Sequence, residues 1–402
     1  MTGIVIVGAG ECGTRAALSA REAGFEGAIT LFGQESGMPY ERPPLSKSDA
    51  GAVVRRAICT EDTLDKAGID YRQKIAVTSI NPETRRLALS DGSDASYARL
   101  LLATGARPRQ MTCDGAEHAL VLRSFEDAWA IFSKAVPGKS AVIIGAGLIG
   151  LELAASLRAV GMDVTVLELG PRALGRAVPE ALADRLVMRH CTEAVEFRFN
   201  CQIDAIAADH VRLADGKCLP ADLIIAAIGV IPETELAKDA GLECNNGICV
   251  NDQLRSSVPG IFAAGDCASL LRPDGTFQRF ETWRNARDQG DLAGRNLAGA
   301  EARFSALPWF WSDQYDLGLQ VVGDVSGAPS ARRTMSPDND ILFWLDADGR
   351  LIGAAGLGTG RSAAKDIALA ERLIEAGVCS SPEVLNDCTQ NLKLLLKRAK
   401  AA

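Results

Sequence analysis

Short runs of aliphatic, mostly β-branched residues pass through glycine turns into stretches with helical apolar spacing, and this happens twice. "IVIVGAGECGTRAALSAREAGF" from Ile4 is echoed by "AVIIGAGLIGLELAASLRAVGM" from Ala141. Each opens with a continuous apolar run, the pattern of a strand buried on both faces of a parallel sheet. Each crosses G-x-G-x-x-G into an amphipathic helix and returns in a second strand, "AITLF" and "DVTVLE". Two βαβ units are predicted, one per dinucleotide-binding domain. "RLLLATGARPR" predicts a buried strand and a Gly/Pro turn, with 107–109 as the crossing into an inserted domain. "ADLIIAAIGVIPETEL" closes that domain, and "GIFAAGDCA" reads as a strand of the first domain resumed. From about Pro308 the composition changes. "PWFWSDQYDLGLQVVGD" and "ILFWLDADGRLIGAAGL" predict antiparallel strands with a "DADGR" turn, and "NLKLLLKRAK" a terminal helix.

The predicted fold is therefore α/β: two Rossmann-like dinucleotide-binding domains, one inserted in the other, plus a C-terminal α+β domain. The first domain comprises 1–109 and 236–308, the inserted domain 110–235 and the last domain 309–402. One segment fits neither period. "RPPLSK", Arg42 to Lys47, is too proline-rich for a strand interior, a helix is not expected to start before Pro44, and its prolines predict an extended backbone.

Composition narrows the function. The 402-residue chain is 47% hydrophobic and carries a net charge of −8, which argues against a general nucleic-acid or anionic-membrane binder. No secretory signal opens the sequence, and no run of about 18 apolar residues predicts a membrane span, so a cytoplasmic location is expected. The 11 cysteines are scattered and odd in number, without a C-x-x-C pair, and read as reduced thiols. The 3 histidines are dispersed, so no zinc site is suggested.

In the first fingerprint Gly8 makes the tight turn, Gly10 admits a pyrophosphate and Gly13 lets the helix pack on the strand. Gly145, Gly147 and Gly150 repeat these roles. Glu168 ends the following strand, where a carboxylate accepts from both ribose hydroxyls and repels a 2′-phosphate. It favours NADH over NADPH, with Arg172 nearby to soften the preference. The matching slot of the first unit holds Gly33, leaving Glu35 as the candidate for the adenosine ribose. Two dinucleotide folds in one chain suggest a hydride donor meeting a flavin, since no residue set here accepts a hydride itself. Gly265 and Asp266 at one strand end, and the small-residue turn Ala103, Thr104 and Gly105 at another, fit the flavin side.

At this point the chain resembles the FAD-dependent NAD(P)H ferredoxin reductases of the glutathione-reductase-like superfamily, of the putidaredoxin-reductase and biphenyl-dioxygenase-reductase type. The resemblance spans nearly the whole chain. It is carried by "VGAGECG", "RPPLSK", "LLATGARPR", "VIIGAGLIGLELA", "AAIGVIPETELA", "IFAAGDCA", "RFETWRNARDQG" and "WFWSDQYDLGLQVVG". It implies that Arg42 and Pro43 run along FAD, with Arg42 toward its phosphates or adenosine. Lys47 is implied near the flavin N5 edge, paired with Glu152, the two being the catalytic pair. Trp283 and Trp311 are implied as contacts near the isoalloxazine.

The implied activity is NADH:ferredoxin oxidoreduction through FAD, feeding single electrons to a [2Fe–2S] ferredoxin of plant, putidaredoxin or Rieske type. That ferredoxin would serve a Rieske-type oxygenase or a cytochrome P450, the reductase being a monomer or weak homodimer. Arg284, Arg287 and Arg295, or Arg55 and Arg56, are candidates for docking an acidic partner. Disulfide reductases of the superfamily carry a redox cysteine pair near "MPYERPPLSK", whereas here no cysteine lies between Cys12 and Cys59. Cys12 reads as a small packing residue. A rubredoxin reductase, an NADH oxidase and an NADH-sensing flavoprotein of the apoptosis-inducing-factor type stand as alternatives.

Overall fold

Four consecutive β-branched residues, Ile4–Val7, can be hidden on both faces only between neighbouring strands. They form the centre of a five-stranded, all-parallel sheet. Its order is Ile261–Ala263, Arg99–Leu102, Ile4–Val7, Ile29–Gly33, Ile69–Gln73. Ile261–Ala263 thus returns to the first sheet after a long excursion of the chain. The helix Glu11–Glu22 packs on Trp283–Ala298 at backbone distance. A Cβ on Gly290 would lie 2.5 Å from the Cys12 carbonyl oxygen, and one on Gly294 2.3 Å from that of Ala16.

The computed structural model describes residues 3–48, 51–175, 177–336 and 338–399. The described residues fall into two compact units. One is drawn from 1–44, 54–107 and 230–306, the other from 45–53, 108–229 and 307–402. The first holds the sheet above and two small three-stranded sheets, Val77–Asn81 with Arg86–Leu89 and Asp94–Ser96, and Ile248–Val250 with Ala268–Leu271 and Phe277–Gln278.

The second unit repeats the parallel plan in the order Glu196–Arg198, Asp163–Leu167, Ser140–Ile144, Leu223–Ala226. Its fingerprint helix, Leu148–Val160, is buried from Gly150 to Leu157. The same unit contains a five-stranded antiparallel sheet ordered Trp309–Gln314, Leu317–Gly323, Leu351–Thr359, Asn339–Leu345, Ala331–Ser336. The helix Ala364–Glu375 covers it with Ile367, Ala370 and Leu373 against Phe343 and Ala354. Polar ties join the helix Glu180–Thr192 to this sheet. Arg185 reaches the buried carboxylate of Asp340 at 2.9 Å, and Arg189 reaches Asp316 at 2.7 Å.

The proline-rich segment departs from the extended form expected of it. Pro43–Ser46 is one turn of 3₁₀ helix, begun one residue before Pro44 where no helix start is expected, with Leu45 and Ser46 buried. The proline φ of about −65° suits a first helical turn as well as an extended chain, and that turn needs no proline N–H. Among the described residues no helix is long and apolar enough to cross a membrane.

Candidate active site

The first fingerprint is shaped by its neighbours at two of its three glycines. Gly8 has φ 109°, and a Cβ there would stand 2.2 Å from the Ala103 carbonyl oxygen. A Cβ on Gly13 would stand 1.9 Å from the Gly8 carbonyl oxygen. Gly10 differs: its Cβ would meet nothing within 4 Å. It is the N-cap of Glu11–Glu22 and supplies no side-chain cap, so the helix begins with open space before its unpaired amides. Packing therefore explains Gly8 and Gly13, and room for an anion explains Gly10. That cradle fits the pyrophosphate of a dinucleotide.

The second fingerprint reproduces this. Gly145 has φ 107° and would place a Cβ 2.5 Å from the Ala227 carbonyl oxygen. Gly150 would place one 2.1 Å from that of Gly145, and Gly147 faces open space. Glu168 is tied to the turn itself. One carboxylate oxygen accepts from the Ala146 amide and the other from the Gly170 amide, each at 2.8 Å. Each oxygen keeps a lone pair for a ribose hydroxyl. Arg172 donates instead to the carbonyls of Ala173, Gly175 and Val178.

Other residues expected around a flavin lie in the first unit. Glu35 and Arg42, read as separate cofactor contacts, pair with each other at 2.6 Å, and the Tyr40 hydroxyl also donates to Glu35. Burial opposes ionisation of Glu35, but the Arg42 charge and the hydrogen bonds from Tyr40 and Arg42 outweigh it and hold the carboxyl low. Arg55 lies over the Tyr40 ring at 4.6 Å. Pro43 opens the 3₁₀ turn. Ala103, Thr104 and Gly105 follow Arg99–Leu102, where the Thr104 hydroxyl donates to the Glu233 carbonyl at 2.7 Å. Gly265 and Asp266 open a short 3₁₀ turn, and the Gly265 amide is committed to Gln289. Trp283 starts its helix half-buried, with Arg287 5.6 Å from its ring centre. Cys12 is buried, which pushes its thiol well above the usual range and leaves no thiolate nucleophile.

The second unit brings Lys47 and Glu152 together at 2.8 Å. The Glu152 side chain is 7% exposed and that of Lys47 27%. Ser156, one turn further along the helix, donates to the Ser46 carbonyl at 2.9 Å and accepts from the Ser48 amide at 3.3 Å. One face of Leu148–Val160 thus holds the chain on either side of Lys47. Two hydroxyls that sequence reasoning missed also grip Glu152: Ser46 donates at 2.5 Å and Ser312 at 2.6 Å. The Ser46 neighbour was visible beside Lys47, but nothing local marks Ser312, which lies on another element far along the chain. Trp311 sits half-buried on Trp309–Gln314, its ring 5.4 Å from that of Trp309.

Two glycine-turn cradles, one with a carboxylate tied to the turn, are the form of an oxidoreductase that uses two dinucleotides. The chain belongs to the pyridine nucleotide-disulphide oxidoreductase family, whose model matches residues 2–290, and residues 309–396 match a reductase C-terminal domain. FAD and NAD(H) are the cofactors. The chain is 36% identical over 399 residues to the ferredoxin–NAD(+) reductase component of a p-cumate 2,3-dioxygenase system of Pseudomonas putida, covering 97% of each. It is 40% identical over 332 residues to a rubredoxin–NAD(+) reductase of Pseudomonas putida, covering 80% of this chain and 86% of the relative. The structure of a covalent putidaredoxin reductase–putidaredoxin complex superimposes with a TM-score of 0.93 at 33% identity, covering 100% of this chain and 99% of that one.

Proposed function

We propose that the protein is an NADH-dependent ferredoxin reductase serving a Rieske-type oxygenase or a cytochrome P450. The observation that carries this is the likeness, over 97% of both chains, to a ferredoxin–NAD(+) reductase component. The chain keeps the dinucleotide cradles of its family but has no cysteine between Cys12 and Cys59, where the disulfide enzymes hold their redox pair. Bound FAD would supply hydride acceptance from NADH and single-electron release. The protein supplies position and charge.

In this reading 1–109 and 236–308 form the FAD-binding domain, 110–235 the NAD-binding domain and 309–402 the C-terminal domain. The turn at Gly8, Gly10 and Gly13 holds FAD, with Ala103, Thr104, Gly105, Gly265 and Asp266 lining its side. Glu35, Arg42 and Pro43 act as one braced group on the adenosine side, because the two charges already neutralise each other. Gly145, Gly147, Gly150 and Glu168 hold NADH. Lys47 is the cation that favours the reduced cofactor, and Glu152 holds it. Trp283 and Trp311 are aromatic contacts. A cytoplasmic site of action fits the eleven cysteines, all free thiols.

The 40% identity to a rubredoxin reductase keeps that partner as a second reading. NADH-driven cytochrome c reduction, with a panel of [2Fe–2S] ferredoxins and a rubredoxin, separates them. Strong stimulation by a ferredoxin and little direct oxygen uptake is expected. Stimulation by rubredoxin alone favours the second reading, and rapid oxygen uptake without carrier dependence overturns both.

A further inference from the structure

Glu152 stands at the end of a buried hydrogen-bonded chain that the reading above leaves unused. The Tyr315 hydroxyl lies 3.3 Å from His190 Nδ1, and His190 Nε2 lies 2.9 Å from Gln314 Oε1. Gln314 Nε2 donates to Ser312 Oγ at 3.0 Å, and Ser312 Oγ donates to Glu152 Oε1 at 2.6 Å. His190 and Ser312 are 0% exposed and Gln314 is 1% exposed. The chain lies within the second unit and links the helix Glu180–Thr192, the strand Trp309–Gln314 and the fingerprint helix.

With His190 neutral, each step has one sense. Gln314 turns its carbonyl to His190, so the imidazole carries a proton on Nε2, and as a neutral ring it accepts on Nδ1 from Tyr315. Gln314 turns its amide to Ser312, whose hydroxyl hydrogen then points at Glu152. Every donor faces the carboxylate, and such aligned bonds reinforce one another in a dry interior. Burial, with the nearby Arg189 charge, lowers the proton affinity of His190 despite the bond to Gln314, in keeping with a neutral ring. The far end is built at a cost. Tyr315 has φ 54°, a left-handed conformation that a bulky aromatic rarely adopts, in the turn between Trp309–Gln314 and Leu317–Gly323. Arg189 holds it there, stacked 4.7 Å from its ring centre and paired with Asp316. A primary amide does not pass protons along readily, so the chain orients rather than conducts.

We infer that Ser312, Gln314, His190 and Tyr315 are positioning residues that fix the Glu152 carboxylate and, through it, the Lys47 ammonium. This rests on the reading of Lys47 as the cation of the hydride-transfer step.

The test uses the FAD-loaded full chain. In rapid mixing with NADH, Ser312→Ala and Gln314→Leu should each slow the limiting rate of flavin reduction about three- to tenfold, the effect of one buried hydrogen bond. Apparent NADH affinity and FAD content should hold, and Ser312→Thr should restore the rate. In a Lys47→Met background, Ser312→Ala should add no further loss. A second readout is independent of turnover: with only 3 histidines, ring ¹⁵N spectra can be assigned to His190. They should show a neutral Nε2–H ring that becomes a tautomer mixture in Gln314→Leu. A charged or Nδ1–H ring in the parent, or a Ser312→Ala loss undiminished without Lys47, overturns the inference. If Lys47→Met itself leaves the rate unchanged, the reading of Lys47 fails and the inference falls with it. If Lys47→Met slows the rate but Ser312→Ala does not, only the inference falls.

Discussion

Gly147 offers a clean separation of folding from cofactor binding. It has φ −80° and ψ −178°, extended backbone that alanine adopts freely, and a Cβ there would meet no atom within 4 Å. Gly147→Ala should therefore change stability by less than about 1 kcal/mol, a weaker N-cap being set against a stiffer unfolded chain. The added methyl occupies the space before the helix amides instead. Pushing a pyrophosphate back from one charge-assisted hydrogen bond costs about 1.5–3 kcal/mol, or about 10- to 150-fold in KM for NADH. Gly150→Ala is the contrast, because its Cβ would lie 2.1 Å from a backbone oxygen of the turn and must displace it. Steady-state ferricyanide reduction against NADH, with FAD content and thermal melting on the same samples, reads all three effects. Gly147→Ala should raise KM with Tm and FAD content unchanged, while Gly150→Ala should lose stability as well. A Gly147→Ala enzyme with the parent KM would refute the assignment of this turn to NADH. Gly10→Ala should mirror the result, losing FAD rather than NADH.

Three further outcomes are expected. Glu168→Gln should shift the ratio of kcat/KM for NADH over NADPH by about tenfold toward NADPH, and an unchanged ratio in parallel assays would remove Glu168 from the ribose. Asp340→Asn should lower stability by about 3 kcal/mol, or about 6–12 °C in Tm, since it uncharges a buried partner of Arg185 and Arg332. Burial opposes ionisation of Asp340, but the hydrogen bonds from Arg332 and Thr334 and the charges of Arg332 and Arg185 hold its carboxyl below the usual range. A depressed native value means stability that is present above about pH 4 and lost as the pH falls through that value, so melting of the variant should be less acid-sensitive there. Finally, charge reversal at Arg284 and Arg287 should raise KM for ferredoxin about tenfold at low salt and spare that for NADH. Arg284 and Arg295 each answer an aspartate four residues away, at 3.6 Å and 3.0 Å, and Arg287 lies 5.6 Å from the Trp283 ring centre.

Features whose cause is local were legible in the sequence. The buried strands at Ile4 and Ala141 announce themselves by unbroken apolar runs, and each glycine turn by residues a few positions apart. The return of Ile261–Ala263 to the first sheet was readable because "GIFAAGDCA" is a buried strand placed after the inserted domain. The proline-rich segment was misread as extended because a proline φ is shared by two conformations, and Leu45 burial chooses between them. Glu35 and Arg42 read as separate cofactor contacts, and their pairing with each other is set by the fold and not by a local pattern. Ser312, Gln314 and His190 were invisible for a different reason. A serine, a glutamine and a histidine carry no pattern until the fold sets a strand and two helices side by side.

The bond from Ser312 to Glu152 also bears on modularity. The C-terminal segment has its own family model and looks like a part that could be exchanged between relatives. Yet it delivers a hydroxyl to a carboxylate on the helix Leu148–Val160. A chimera whose donor lacks the counterparts of Ser312 and Gln314 would fold around an underbonded acid and inherit a wandering lysine. Recombination across this junction should succeed only when the two serine donors, the glutamine and the acid travel as one heritable set.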